Sequence, residues 1–261
     1  MHKDIDIIQL QPAPNLAGAS DRGRRHHQNE DAIALQIIDT QASILVVCDG
    51  VSSSQQPELA SQSAATACIQ AIETAIRSGI EPDAAMIQGV EQASIAVSNV
   101  SFDPYLPEDY SSTTIVAAIV QGNLVTIGWI GDSRAYWLSP TKSLQLTQDD
   151  SWMREAIEVN GSTPTDAEKS PYAHAIIRWV GADVPTDEAQ PNLMAFTIPG
   201  AGYLLLCTDG LSDYVPDPAY LYHLIQQIPE PEPLAIAHHL VRYANQQGGH
   251  DNITVGLLQV V

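Results

Sequence analysis

The chain has 261 residues, with 31 acidic against 11 basic side chains and a formal net charge of −20. That charge, with a pI near 4.4, argues against binding nucleic acid or an anionic membrane surface. The start Met1-His2-Lys3-Asp4-Ile5-Asp6 has no secretory pattern, no apolar run reaches transmembrane length, and cysteines are few, so a cytoplasmic protein is expected.

In chain order, the stretch Asp21-Arg22-Gly23-Arg24-Arg25-His26-His27-Gln28-Asn29-Glu30-Asp31 precedes an apolar run at 32–38. A second apolar run, 43–48, ends on Asp49-Gly50. Both are short and aliphatic and predict strands. Residues 57–77 carry Ala60, Ala64, Cys68, Ile72 and Ala75 at helical spacing, with Pro57 in the first turn. A second helix is expected over 82–98, with Gly79 between the two. A loop at 101–110 leads to strands at 112–120 and 124–130, then Gly131-Asp132-Ser133-Arg134, then short strands at 135–138 and 143–146. Residues 151–183 are irregular: 160–164 break the pattern and 172–179, with His174, resume helical spacing. The run 203–207 ends on Thr208-Asp209-Gly210, in nearly the same words as the Asp49 run. Helices are expected over 218–228, with Tyr220, Leu221, Leu224 and Ile225 as its core stripe, and over 233–246. Gly248 stops the second, and Asp251-Asn252 opens the last strand. Hairpin-like strands grouped between helices predict an α+β protein with antiparallel sheets.

Asp31, Asp49, Asp132, Asp209 and Asp251 all fall at expected strand edges. Each alone reads as a turn residue. All five together, beside aliphatic strands, read as a cation site, because a carboxylate at the mouth of a buried strand is costly without positive charge. An all-carboxylate set suits Mg²⁺ or Mn²⁺. Cys48, Cys68 and Cys207 form no Cys-x-x-Cys pair, which speaks against zinc.

The ordered blocks resemble the metal-dependent serine/threonine protein phosphatases of type 2C, bacterial branch. They are Gly23 through Asn29-Glu30-Asp31, Val47-Cys48-Asp49-Gly50, Ser112-Thr113-Thr114, Gly131-Asp132-Ser133-Arg134, and Asp209-Gly210 followed by Gly249-His250-Asp251-Asn252. The resemblance runs over about 18–261. It implies a four-layer α-β-β-α sandwich with two stacked, mainly antiparallel sheets flanked by helices. It implies one domain over 1–261 with a flap at about 151–183. By the same resemblance Asp49 bridges two metals, Gly50 lends its carbonyl, and Asp209 and Asp251 complete the first metal's ligands. Glu30 and Asp31 match the acidic pair that holds the metals, and Asp132 with Asp209 matches a third, weaker site. The implied chemistry is hydrolysis of phosphoserine and phosphothreonine in a protein substrate by a water between two ions about 3.5–4 Å apart. A monomer is expected.

The chain departs from the family at three places. His26 stands where a phosphate-gripping arginine is usual, and reads equally as a phosphate contact or a structural residue. Val51-Ser52-Ser53 replaces Met-Gly-Gly, and Asp149-Asp150 replaces Asp-His. Two other classes compete. A non-catalytic binding module of the same fold would be favoured by loss of a metal aspartate, and none of the matched ones is missing. A GDSL-type esterase would use Ser133 as nucleophile with His250 as base, but its acid belongs three residues before the histidine, where this chain has Gln247. A haloacid dehalogenase needs a second aspartate at position 51, which is Val51, and no phosphate-binding P-loop occurs.

Overall fold

The computed structural model describes residues 7–39, 42–101, 103–106, 109–173, 175–185, 189–229 and 231–261. The elements in order are β1 (Ile8–Ala13), β2 (Leu16–Asp21), β3 (Asp31–Ile37), β4 (Ala42–Asp49), α1 (Pro57–Arg77) and α2 (Pro82–Ser98). There follow β5 (Ser112–Thr113), β6 (Ile115–Gln121), β7 (Leu124–Ile130), β8 (Arg134–Leu138), β9 (Leu144–Gln145), α3 (Trp152–Glu158) and α4 (Pro164–Glu168). The last are β10 (Val180–Gly181), β11 (Asn192–Thr197), β12 (Gly202–Cys207), α5 (Asp209–Ser212), α6 (Pro218–Gln226), α7 (Pro233–Gln247) and β13 (Ile253–Val260).

The strands form a six-stranded sheet in the order β1-β2-β13-β12-β8-β9 and a five-stranded sheet in the order β11-β7-β6-β4-β3, with a small β10-β5 pair. The ladders are antiparallel. Side-chain alternation explains why the strands are apolar throughout rather than at every second residue. On β4, Ile44, Val46 and Cys48 face the α1–α2 layer, while Leu45 and Val47 face the other sheet. On β12, Leu204 and Leu206 face that inter-sheet core, while Tyr203, Leu205 and Cys207 face α6 and α7. The result is the expected four layers. Gly18 of β2 pairs with Gly256 of β13, and together they make a dent for Ile33 of the opposite sheet. A Cβ at Gly18 would lie 2.4 Å from Ile33 Cδ1.

Three expectations need correction. The strand at 112–120 is broken at Thr114, whose N–H leaves the ladder to bond the Asp49 carbonyl at 2.8 Å. The described residues of 172–179 form no helix: the Ile177 N–H donates to the Asp150 carbonyl at 2.9 Å and the Ala175 carbonyl accepts from the Trp152 N–H at 2.8 Å, so these groups are spent on chain crossing. His174 lies outside the described residues. The helices of that region are the short α3 and α4 instead. Tyr220 is exposed, stacked on His223 with ring centroids 5.9 Å apart, whereas Leu221, Leu224 and Ile225 are core. No helix among the described residues is long and apolar enough to cross a membrane.

Candidate functional site

The ladders bring the aspartates to one end of the two sheets. Asp31 opens β3 directly opposite Asp49, the last residue of β4. Asp209 follows β12 and Asp251 precedes the adjoining β13, while Asp132 sits in the turn from β7 to β8. Asp49, Gly50, Asp132, Asp209 and Asp251 line a cleft of about 600 Å³, whose wall also includes Ser52 and Asp183 and, from the segment after α4, Ala175, Ile176 and Trp179.

The backbone around Asp49 is fixed from both sides. Its carbonyl accepts from the Thr114 N–H at 2.8 Å and from the Thr113 hydroxyl at 2.8 Å. The Gly50 N–H donates to the Glu30 carbonyl at 3.1 Å. A Cβ at Gly50 would lie 2.4 Å from the Pro57 carbonyl oxygen and 2.6 Å from that of Glu30, so only glycine fits this crossing. The loop 21–30 is knitted to 249–252 by Asn252, whose amide donates to the carbonyls of Arg22 and Gln28 at 2.8 and 3.1 Å. Its side-chain oxygen accepts from the Glu30 N–H at 2.7 Å.

Asp31 is buried, and its Oδ2 accepts from the hydroxyls of Thr208 and Thr254 at 2.9 and 2.7 Å. Oδ1 of Asp31 and Oδ1 of Asp209 are buried with no hydrogen-bond partner among the described residues. Burial first, and then the charges of Asp251 and Glu30, push the Asp31 carboxyl up to about 7 against the two threonine bonds. Asp49 lies well above the usual carboxylate range because of burial, then the charges of Asp31, Asp209, Asp132 and Asp251. Asp209 is raised in the same way, by burial and then by Asp132 and Asp251. Asp132 is pushed to about 7 by burial and then by Asp149, with Arg134 opposing. Asp49, Asp132 and Asp209 are half-buried and line the cleft.

Among the described residues no three acidic, histidine or cysteine side chains already close on one point tightly enough to hold an ion. The donor chemistry nevertheless fits a hard divalent cation: the set is all oxygen, and two buried carboxylate oxygens lack any protein donor.

His26 lies between two of these acids, its Nε2 3.2 Å from Asp251 Oδ1 and its Nδ1 3.9 Å from Glu30 Oε2. Glu30 Oε2 also accepts from the Ser52 hydroxyl at 2.5 Å. Arg22 donates to the His26 carbonyl at 2.8 Å, while Arg24 and Arg25 are exposed. Ser133 is 1% exposed, and its hydroxyl shares a 2.8 Å hydrogen bond with that of Thr114. No hydrogen bond joins it to His250 among the described residues, and the His250 N–H goes to the Tyr214 hydroxyl at 3.0 Å. That last bond is made by the backbone, and the esterase reading is left with a buried Ser133 hydroxyl that bonds Thr114 and no histidine among the described residues.

Several working residues were not singled out for a role by sequence. Thr208 and Thr254 hold Asp31, Asn252 holds the loop, and Trp179 forms the cleft wall. Only Asn252 and Thr208 carried a signal, as immediate neighbours of Asp251 and Asp209.

The family model described as Protein phosphatase 2C matches residues 18–243. The serine/threonine protein phosphatase PstP of Mycobacterium tuberculosis is 31% identical over 250 residues, covering 94% of this chain and 45% of that protein. The chain thus spans about half the length of that relative. The serine/threonine phosphatase stp of Listeria monocytogenes is 30% identical over 247 residues, covering 92% of this chain and 93% of that protein. A crystal structure of the catalytic domain of PstP in complex with two manganese ions superposes with a TM-score of 0.67 at 28% identity, covering 98% of this chain and all of that one.

Proposed function

The chain belongs to the protein phosphatase 2C family, and from that premise we propose that it hydrolyses phosphoserine and phosphothreonine monoesters of a protein substrate with two Mg²⁺ or Mn²⁺ ions, and a third bound more weakly. The observation that carries the reading is the meeting of Asp49, Asp132, Asp209 and Asp251 at one cleft with Asp31 buried beside Asp49, and two buried carboxylate oxygens without a donor among the described residues. The relative stp, matched over nearly its whole length, supports the activity. The two manganese ions of the PstP structure support the cofactor.

In this reading Asp49, Gly50, Asp209 and Asp251 hold the two core ions, Glu30 and Asp31 support them, and Asp132 with Asp209 holds the third. When bound, the ions supply positive charge that activates water and offsets the charge building on phosphoryl oxygens. The protein's own part is positioning. Thr208 and Thr254 occupy one oxygen of Asp31 and leave the other facing inward. His26 either orients Asp251 or grips phosphate; its 3.2 Å approach to Asp251 supports the first. Trp179, Ala175 and Ile176 line the same cleft. The reaction needs no covalent enzyme intermediate, in keeping with the buried Ser133.

One domain with a flap at about 151–183 belongs to this proposal, supported by the family match over 18–243 and by the ladder joining β2 to β13. So do a cytoplasmic location, a monomeric state and the lack of a nucleic-acid or membrane partner, the last supported by the net charge of −20. The three competing classes part in one assay set. After chelation, a phosphatase releases phosphate from a phosphothreonine peptide only when Mn²⁺ is returned. An esterase cleaves short acyl esters without metal, and a binding module does neither.

A further inference from the structure

We propose that Asp150 is the positioning residue that fastens the flap to the turn carrying Asp132, and so sets where the flap wall stands when a peptide enters the cleft. The inference rests on the phosphatase reading above and adds a determinant of peptide binding to it.

Asp150 is 5% exposed. A carboxylate buried to that degree requires several donors, and here they come from three separate parts of the chain. The Gly131 N–H donates to Oδ2 at 3.1 Å. Arg178, at the end of the flap, donates to the same oxygen at 3.2 Å. The Asn192 amide, at the start of β11, lies 3.1 and 3.0 Å from the two oxygens. Arg154 of α3 stands 3.9 Å from Oδ1. Arg178 is itself held, since its other terminal nitrogen donates to the Gln190 carbonyl.

The backbone at the same residue closes the flap. The Asp150 N–H donates to the Gly131 carbonyl at 2.9 Å, the Ile177 N–H to the Asp150 carbonyl at 2.9 Å, and the Trp152 N–H to the Ala175 carbonyl at 2.8 Å. Ser151 bridges Ile176. The outgoing and returning ends of the flap therefore meet at Asp150.

Both sides of this fastening face the cleft although Asp150 itself does not line it. On the flap side Ala175, Ile176 and Trp179 form the wall, and on the other Asp132 follows Gly131. Gly131 has φ +104°, and a Cβ there would lie 2.7 Å from the Thr114 side chain, so the turn is pressed onto Thr114. Thr114 in turn holds the Asp49 carbonyl. An unbroken line of contacts thus runs from the flap through Asp150 to the carboxylate cluster. A small phosphate ester occupies only the cluster end, whereas a peptide extends along the wall.

Asp150→Asn keeps the shape but removes the charge, and turns an amide donor either towards Gly131 N–H and Arg178, which have no acceptor to offer, or towards Asn192, whose amide must then flip. The test has two arms. In the metal-free protein, hydrogen exchange at the Trp152 and Ile177 amides is expected to rise about tenfold, with β4 and β6 amides unchanged. In the Mn²⁺-loaded protein, KM for a phosphothreonine peptide is expected to rise about tenfold, with KM for p-nitrophenyl phosphate changing less than about threefold. Arg178→Met cuts only the flap side of the same network and should reproduce both effects, so the inference stays testable if Asp150→Asn does not fold. Equal changes in the two KM values, unchanged exchange at Trp152 and Ile177, or acceleration spread evenly over the sheets would overturn it. Lack of Mn²⁺-dependent turnover in the unsubstituted protein strikes the phosphatase reading instead. The exchange arm, which needs neither metal nor turnover, then still decides whether Asp150 holds the flap.

Discussion

Ser133 and Asp132 are neighbours with opposite expectations. The Ser133 hydroxyl is buried against Thr114, so Ser133→Ala should keep most Mn²⁺-dependent turnover and lose roughly 1 kcal/mol of stability with its hydrogen bond. Asp132→Ala should raise the Mn²⁺ concentration needed for half-maximal activity. A dead, folded Ser133→Ala protein beside an unaffected Asp132→Ala protein would reverse the assignment. His26 offers a second test. If it grips phosphate, His26→Arg supplies a permanent, bidentate cation and lowers KM for small phosphoesters above pH 7. If it orients Asp251, as the 3.2 Å approach supports, His26→Arg and His26→Ala both weaken Mn²⁺ activation while KM stays put. Parallel titrations of metal and substrate separate the two. At this scale the sequence was most legible where turn chemistry and charge coincide. Asp49-Gly50 and Asp209-Gly210 announce themselves because acid and glycine break an aliphatic run. Thr208 and Thr254 were illegible as partners of Asp31, because 46 residues separate them and only the β12–β13 ladder brings them together.

The elements that deliver these residues were read well where burial has a strong period. Helices α1 and α2 match their expected bounds, since their small apolar residues recur at helical spacing and each begins on a proline. β1 and β2 carry no clear strand signal, because Pro12 interrupts the first and small residues fill the second. β11 is an edge strand with Leu193 and Met194 exposed, so it shows no clean alternation. The segment 172–179 has helical spacing, yet its Ile177 N–H and Ala175 carbonyl are claimed by Asp150 and Trp152, a tertiary demand that no local pattern carries. The turn from β12 into α5 yields an element-level prediction. A Cβ at Gly210 would lie 1.8 Å from the Asn252 carbonyl oxygen, so Gly210→Ala must push α5 away from the loop bearing Asp251. A loss of about 1–3 kcal/mol is expected, together with a higher Mn²⁺ requirement because Asp209 and Asp251 move apart. A melting temperature and metal requirement both equal to the unsubstituted protein's would contradict this.

For the whole molecule, the carboxylate cluster sets one stability term against another. Asp31 binds its proton more tightly in the folded chain, up to about 7 against an ordinary 3.8. Between those values the folded state holds more protons than the unfolded one. The contribution is therefore full below the lower value and is lost as pH rises towards the upper, by at most ~4 kcal/mol for this group. Chelated protein should thus melt at a lower temperature at pH 7.5 than at pH 5. Mn²⁺, which takes the ionised form, should raise the melting temperature most at pH 7.5. A chelated protein that gains stability steadily over this range, or one indifferent to Mn²⁺, would count against the site.

The claim on which all of this stands is that the aspartate cluster turns over phosphate through bound metal. Phosphate release from a phosphothreonine peptide, followed as Mn²⁺ is returned to the chelated protein with Asp209→Asn alongside, tests it most directly. Saturable, Mn²⁺-dependent release is expected from the unsubstituted chain, and none above background from the folded variant at any Mn²⁺ concentration. Equal release by the two proteins, or release that persists undiminished under chelation, would contradict it.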